Sequence, residues 1–107
     1  MATTLPELSK RLKLFAHARD WEQFHSPKNL SMALIAEVAE LIEHFQWLTE
    51  EQSHQLPPET HQAVKMELAD IFIYLLRISE RLDVDLIAAA EEKMAINETR
   101  FPPANRV

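Results

Sequence analysis

The 107-residue chain contains no glycine. Tight hairpin turns of the primed types need positive φ and draw on Gly or Asn-Gly, and the sequence has neither. No window shows convincing strand alternation, whereas apolar residues recur at spacings of three and four. The chain therefore reads as all-α, a four-helix bundle. A first helix is predicted from about Leu5 to Asp20, with Leu8, Leu12, Phe15 and Ala16 on one face, Thr4 as N-cap, and Pro6 and Glu7 in the first turn. Trp21 to Pro27 reads as a connector, where Ser26 followed by Pro27 opens a second helix running to about Leu48. Thr49 through Pro58 is polar and ends in Pro-Pro, which predicts a loop. A third helix covers about Glu59 to Arg81. Asp83-Val84-Asp85 offers a capped restart for a fourth that reaches about Thr99 and is stopped by Pro102 and Pro103.

Composition narrows the function classes. With no cysteine, disulfide frameworks and zinc-thiolate sites are excluded. Acidic side chains outnumber basic ones by 17 to 11, and a formal charge of -6 argues against a nucleic-acid binder that works by neutralising phosphates. The longest apolar stretches are cut by Glu, Asp or Arg well short of the ~20 residues of a membrane span. Met1 to Arg19 has neither an apolar leader core nor a small-residue cleavage site. At ~100–150 residues per domain, residues 1–107 read as one domain of a soluble cytoplasmic protein, with no nucleic-acid or membrane partner.

The second and third predicted helices carry the chemistry. The second has the apolar set Leu34, Ile35, Val38, Leu41, Ile42, Phe45, Leu48; the third has Val64, Leu68, Ile71, Phe72, Leu75, Ile78, Leu82. On a wheel of ~100° per residue, Glu37 lies at the edge of the first stripe with Glu40 and His44 beside it, and Glu67, Asp70 and Tyr74 occupy the equivalent places on the other helix. Glu37-Val38-Ala39-Glu40-Leu41 is echoed thirty residues later by Glu67-Leu68-Ala69-Asp70-Ile71. Residues three apart share a helix face, so packing these helices together converges four carboxylates. No Lys or Arg stands four residues on to neutralise either pair. Such a cluster is costly without a cation, and hard oxygen ligands without His or Cys favour Mg²⁺ or Mn²⁺. The chemistry suggested is metal-assisted attack of water on a phosphoanhydride; acidic stripes that serve solubility are the competing reading. A di-iron bundle is a poor match, because its Glu-x-x-His spacing is absent: Glu40 and His44 are four apart.

Glu37-x-x-Glu40 followed by Glu67-x-x-Asp70 resembles the metal-binding motif of the all-α nucleoside triphosphate pyrophosphohydrolases, the MazG-like superfamily. Further blocks are similar to its dCTP pyrophosphatase branch. They are Arg19-Asp20-Trp21-Glu22-Gln23-Phe24-His25, Pro27, Asn29-Leu30, Phe45-Gln46-Trp47, Tyr74, Val84-Asp85-Leu86, and Lys93-Met94-x-x-Asn97-x-x-Arg100-Phe101-Pro102. They span nearly the whole chain. The resemblance implies a MazG-like bundle assembled as a homodimer or homotetramer, with the site built between subunits. It implies Mg²⁺ held by Glu37, Glu40, Glu67 and Asp70, and water attack at the α-phosphorus to give a nucleoside monophosphate and pyrophosphate. One departure is Phe101 where relatives often have Tyr, which removes a phenol hydroxyl there.

The remaining candidates have two readings each. Lys93, Asn97 and Arg100 share one face of the last helix and fit either a basic helix end or a grip on triphosphate oxygens; the resemblance implies the grip. Trp21 and Trp47 fit base stacking or interface burial, and the resemblance makes both base-pocket residues. Trp47 is placed on the Glu40–His44 side of the second helix. His25 can hydrogen-bond the base or a phosphate, and Tyr74, beside Asp70, can order the site or touch sugar. Lys28 and Asn29 stand at a helix N-terminus suited to polyphosphate. Ala36, Ala39, Ile73 and Leu76 widen the apolar surface of the two central helices, which in so small a chain points independently to a second subunit. The reading is thus a Mg²⁺-dependent pyrophosphohydrolase of dCTP or a base-modified dCTP. The alternatives are the same chemistry on dUTP or a damaged purine nucleotide, and a non-catalytic helical oligomerisation module.

Overall fold

A computed structural model describes residues 3–104; the end of the predicted C-terminal tail lies outside them. Among the described residues there are five α-helices, one 3-10 turn and no strands. The helices are α1 (Leu5–Ala18), α2 (Pro27–Glu43), α3 (Glu50–Ser53), α4 (Pro58–Arg81) and α5 (Leu86–Arg100), with the 3-10 turn at Glu22–Phe24.

The helix starts follow from side-chain caps. Thr4 and Glu7 form a reciprocal capping box for α1, the Ser26 hydroxyl accepts from the Asn29 N–H at 3.1 Å ahead of Pro27, and the Asp85 carboxylate accepts from the Ala88 N–H at 3.1 Å. The ends of α1 and α4 need a left-handed residue, and without glycine aspartate takes the place: Asp20 has φ 57° and Asp83 φ 56°. In both, two hydrogen bonds close a Schellman turn. Trp21 N–H donates to Ala16 O at 2.9 Å and Val84 N–H to Ser79 O at 2.8 Å, with Asp20 and Asp83 donating to His17 and Glu80.

Two expectations need correction. The bundle has five α-helices rather than four, because Thr49 and Gln52 form a capping box that winds Glu50–Ser53 into a short helix inside the expected loop. The second helix stops at Glu43 instead of Leu48. His44 is its C-cap, and the following residues fold into turns in which Leu48 N–H donates to Phe45 O at 2.9 Å. Trp47 therefore stands in a turn beyond the helix, not on its Glu40–His44 side.

The principal packing is α2 against α4, with α1 laid on α4. Ala16, Leu30, Val64 and Leu76 are buried in these contacts. Lys13 on α1 reaches Glu80 on α4 at 3.4 Å, and Glu80 also holds Arg77 at 3.0 Å. α5 buries no residue in the single chain. The apolar stripe read from sequence divides in two: Leu34, Val38, Leu41, Ile71 and Ile78 face inward, while Ile35, Ile42, Leu68, Phe72 and Leu75 remain exposed. The radius of gyration is 17.3 Å, against about 13 Å for a compact chain of this length. The accessible surface is 8881 Å², against about 6,100 Å² for a folded monomer of this mass. No helix among the described residues is long and apolar enough to cross a membrane.

Candidate active site

The acidic pairs converge between α2 and α4. One oxygen each from Glu37, Glu67 and Asp70 lies within 4.8 Å of the others. Glu37 and Glu67 are half-buried, Asp70 is exposed, and Glu40 stands outside this closest set as a neighbouring carboxylate of both Glu37 and Glu67. Burial first, and then the neighbouring carboxylates, push the pKa values of Glu37 and Glu67 above the ordinary 4.5.

The donor set fits a divalent cation. The Oε2 atoms of Glu37 and Glu67 are sealed from solvent and have no hydrogen-bond partner among the described residues. Buried carboxylate oxygens are otherwise satisfied, and an orphaned pair facing a third carboxylate is the arrangement a hard cation completes. Oxygen-only ligands suit Mg²⁺ or Mn²⁺.

Tyr74 stands one turn beyond Asp70. Its phenol is half-buried, and burial, then Glu37, Asp70 and Glu40, hold it above the ordinary value of 10.0, so it stays protonated near neutrality. Tyr74 also lines a cavity of about 290 Å³ with Leu12, Phe15, Trp21, His25, Ile73 and Arg77. The cavity is apolar with three polar groups, the composition of a small-molecule site. Trp21 packs edge-on against Phe15 at 5.6 Å and tilted against His25 at 5.9 Å, and remains 42% exposed, which leaves indole surface free for stacking. Arg19 anchors this corner: its guanidinium lies 3.4 Å over the Phe15 ring and donates to Phe15 O. A larger cavity of about 470 Å³, between the start of α1 and the α4–α5 turn, is lined by none of the candidate metal- or substrate-binding residues, although the Val84-Asp85-Leu86 block forms part of its wall.

One chain thus brings together Glu37, Glu40, Glu67, Asp70, Tyr74, Trp21 and His25. The others stand apart. Trp47 is 86% exposed, and Lys28 is exposed and outside the cavity. The Asn29 amide donates to Phe24 O at 3.1 Å, which holds the connector. On α5, Lys93 and Arg100 are exposed and Asn97 is half-buried; none lines the cavity or joins the carboxylates. Sequence reasoning passed over Arg77, which is 3% exposed. Its signal was an arginine inside the apolar run Leu75-Leu76-Arg77-Ile78, three residues after Tyr74.

A helical pair that sandwiches paired carboxylates defines a class. Residues 33–105 match the MazG-like family, and the chain belongs to it. More particularly, it is 45% identical over 101 residues to dCTP pyrophosphatase 1 of Mus musculus and 44% identical to that of Homo sapiens, matching 92% of this chain in each case. The chain spans 59% of the length of these two relatives. A pyrophosphatase from Archaeoglobus fulgidus has the same fold, with a TM-score of 0.89 and 34% identity over 96% of both chains.

Proposed function

We propose that residues 1–107 act as one cytoplasmic domain that hydrolyses dCTP, or a base-modified dCTP, to the monophosphate and pyrophosphate with Mg²⁺, for which Mn²⁺ can substitute. The observation that carries this reading is the position of Tyr74, which belongs both to the carboxylate cluster and to the wall of the Trp21–His25 cavity. A base held in that cavity has its phosphates one helix turn away, at the acidic edge. The mouse and human relatives, named as dCTP pyrophosphatases, favour this reading over the other bases.

Glu37, Glu67 and Asp70, with Glu40 beside them, would hold the metal. When bound, Mg²⁺ supplies neutralisation of the phosphate charge and polarises the phosphoryl oxygens. Trp21 stacks the base, His25 hydrogen-bonds its edge, and Tyr74 orders the sugar against the acidic edge. Water attacks the α-phosphorus, the bond from that phosphorus to the bridging oxygen breaks, and pyrophosphate leaves. One of these carboxylates accepts the water proton as general base.

The protein works as a homo-oligomer, a dimer or tetramer. The exposed Ile35, Ile42, Leu68, Phe72 and Leu75 and the surface excess favour a partner of its own kind. A second copy can bring the face of α5 with Lys93, Asn97 and Arg100, and also Trp47 and the Lys28–Asn29 helix start, to a site they do not reach within one chain. The test is a nucleotide panel with Mg²⁺ or EDTA, products separated by chromatography. Monophosphate plus pyrophosphate from dCTP, lost in EDTA, is expected. Preference for another nucleotide moves the base assignment, and no turnover of any nucleotide leaves an oligomerisation module.

A further inference from the structure

Arg77 is charged and nearly solvent-free, and its hydrogen bonds are specific. Nη1 donates to Glu80 at 3.0 Å, and Nη2 faces the Nδ1 atom of His25 at 3.4 Å across 52 residues of sequence. One turn on, Arg81 Nε donates to the His25 carbonyl at 3.1 Å, so α4 grips both ring and backbone of this residue. A guanidinium has donors only. The contact with Nη2 is therefore a hydrogen bond only if Nδ1 carries its lone pair, which puts the ring proton on Nε2. An imidazolium would set two donors against each other beside two arginines. Burial first, then Arg77 and Arg81, hold the His25 pKa below the ordinary 6.5, in line with a neutral ring. The Nε–H of Arg77 is buried without a partner among the described residues. It is a second donor on a residue that lines the cavity, and a buried donor left unpaired is costly until an acceptor arrives.

We propose that Arg77 is a positioning residue that locks His25 as the neutral Nε2–H tautomer, so that the cavity presents hydrogen-bond donors to the acceptor edge of a pyrimidine. Cytosine offers adjacent acceptors there, its C2 carbonyl and unprotonated N3. Uracil and thymine carry N3–H, a donor that meets a donor. The base assignment rests on the pyrophosphohydrolase reading above; the tautomer does not.

The test uses the full chain labelled with ¹⁵N-histidine, without nucleotide, in long-range ¹H–¹⁵N spectra near neutral pH. The His25 signals are identified by their loss in His25→Gln. The expected result is a neutral ring protonated on Nε2, turning into a tautomer mixture in Arg77→Met. A ring protonated on Nδ1, or doubly protonated, overturns the proposal, and the wild-type spectrum decides this even if Arg77→Met does not fold. In kinetics, Arg77→Met should raise KM for dCTP about tenfold, erode the preference for dCTP over dUTP by a similar factor, and leave kcat within about threefold. Equal losses of kcat on both nucleotides with KM unchanged would mark a structural role and overturn it. Absence of wild-type turnover sinks the enzymatic reading and the base assignment with it, whereas a wrong tautomer with normal turnover sinks this proposal alone.

Discussion

Replacing Glu37 with Gln removes one charge from a cluster that repels itself. The Glu37 oxygen lies within 4.8 Å of oxygens from Glu67 and Asp70. At that distance and the dielectric of water, a like-charge contact costs about 1 kcal/mol. The larger value for a dry interior does not apply, because Asp70 is exposed and the cluster opens to solvent. Gln keeps the volume and the hydrogen-bonding capacity toward Glu40. In EDTA at low salt, Glu37→Gln should therefore raise the thermal midpoint by about 4 °C, the equivalent of roughly 1 kcal/mol in a domain of this size. In Mg²⁺ the order should invert. Wild type gains about 2.7 kcal/mol when the ion is at a hundred times its Kd, whereas the variant has lost a buried ligand and gains far less. Thermal unfolding followed by circular dichroism, at one fixed protein concentration, reads both effects. A variant less stable than wild type in EDTA, with the same response to Mg²⁺, would refute the reasoning.

The same cluster sets a pH dependence. A carboxyl whose pKa is raised on folding contributes stability that is full below its ordinary value of 4.5 and is lost as pH climbs through the raised value. For Glu37 and Glu67, the metal-free midpoint should rise as pH falls from 7 toward 5, and saturating Mg²⁺ should reverse that slope because protons compete with the ion; midpoints across a pH series check both. At the end of α4, Asp83→Gly should add about 0.5–1 kcal/mol, because glycine accepts the left-handed φ of 56° without a Cβ clash, while Asp83→Ala should lose a comparable amount in denaturant unfolding. If the exposed α2–α4 face is the proposed self-association surface, Leu68→Glu with Phe72→Glu should shift the mass toward the 12.4 kDa protomer in sedimentation equilibrium. An unchanged mass would move the interface elsewhere.

Much of the architecture was legible because its signals are local. Thr4, Ser26 and Asp85 cap helices where their side chains and the following residues predict it. The three-residue spacing of Glu37 and Glu40, and of Glu67 and Asp70, placed each pair on a common face without knowledge of the partner helix. The capping box of Thr49 and Gln52 is an equally local signal, but it lies in a polar stretch ending in Pro-Pro, which by itself predicts a loop. The end of α2 was read too late because Phe45 and Leu48 continue the apolar rhythm through the turns beyond Glu43. What periodicity cannot encode is which chain covers an apolar residue. Ile35 and Val38 look alike on a helical wheel, yet Val38 is half-buried and Ile35 is 70% exposed. The Arg77–His25 contact joins residues 52 apart, and only the laying of α1 and its connector across α4 brings them together.

In the proposed reaction the α2–α4 carboxylates direct water to the α-phosphorus of dCTP. Single-turnover hydrolysis in ¹⁸O-labelled water with Mg²⁺ tests it, comparing wild type, Glu67→Gln and the control Glu59→Gln. Label is expected in the monophosphate and none in pyrophosphate, with a loss of at least about a hundredfold in Glu67→Gln and near-normal turnover in Glu59→Gln. Label in pyrophosphate, or a Glu67→Gln variant as active as Glu59→Gln, would contradict it.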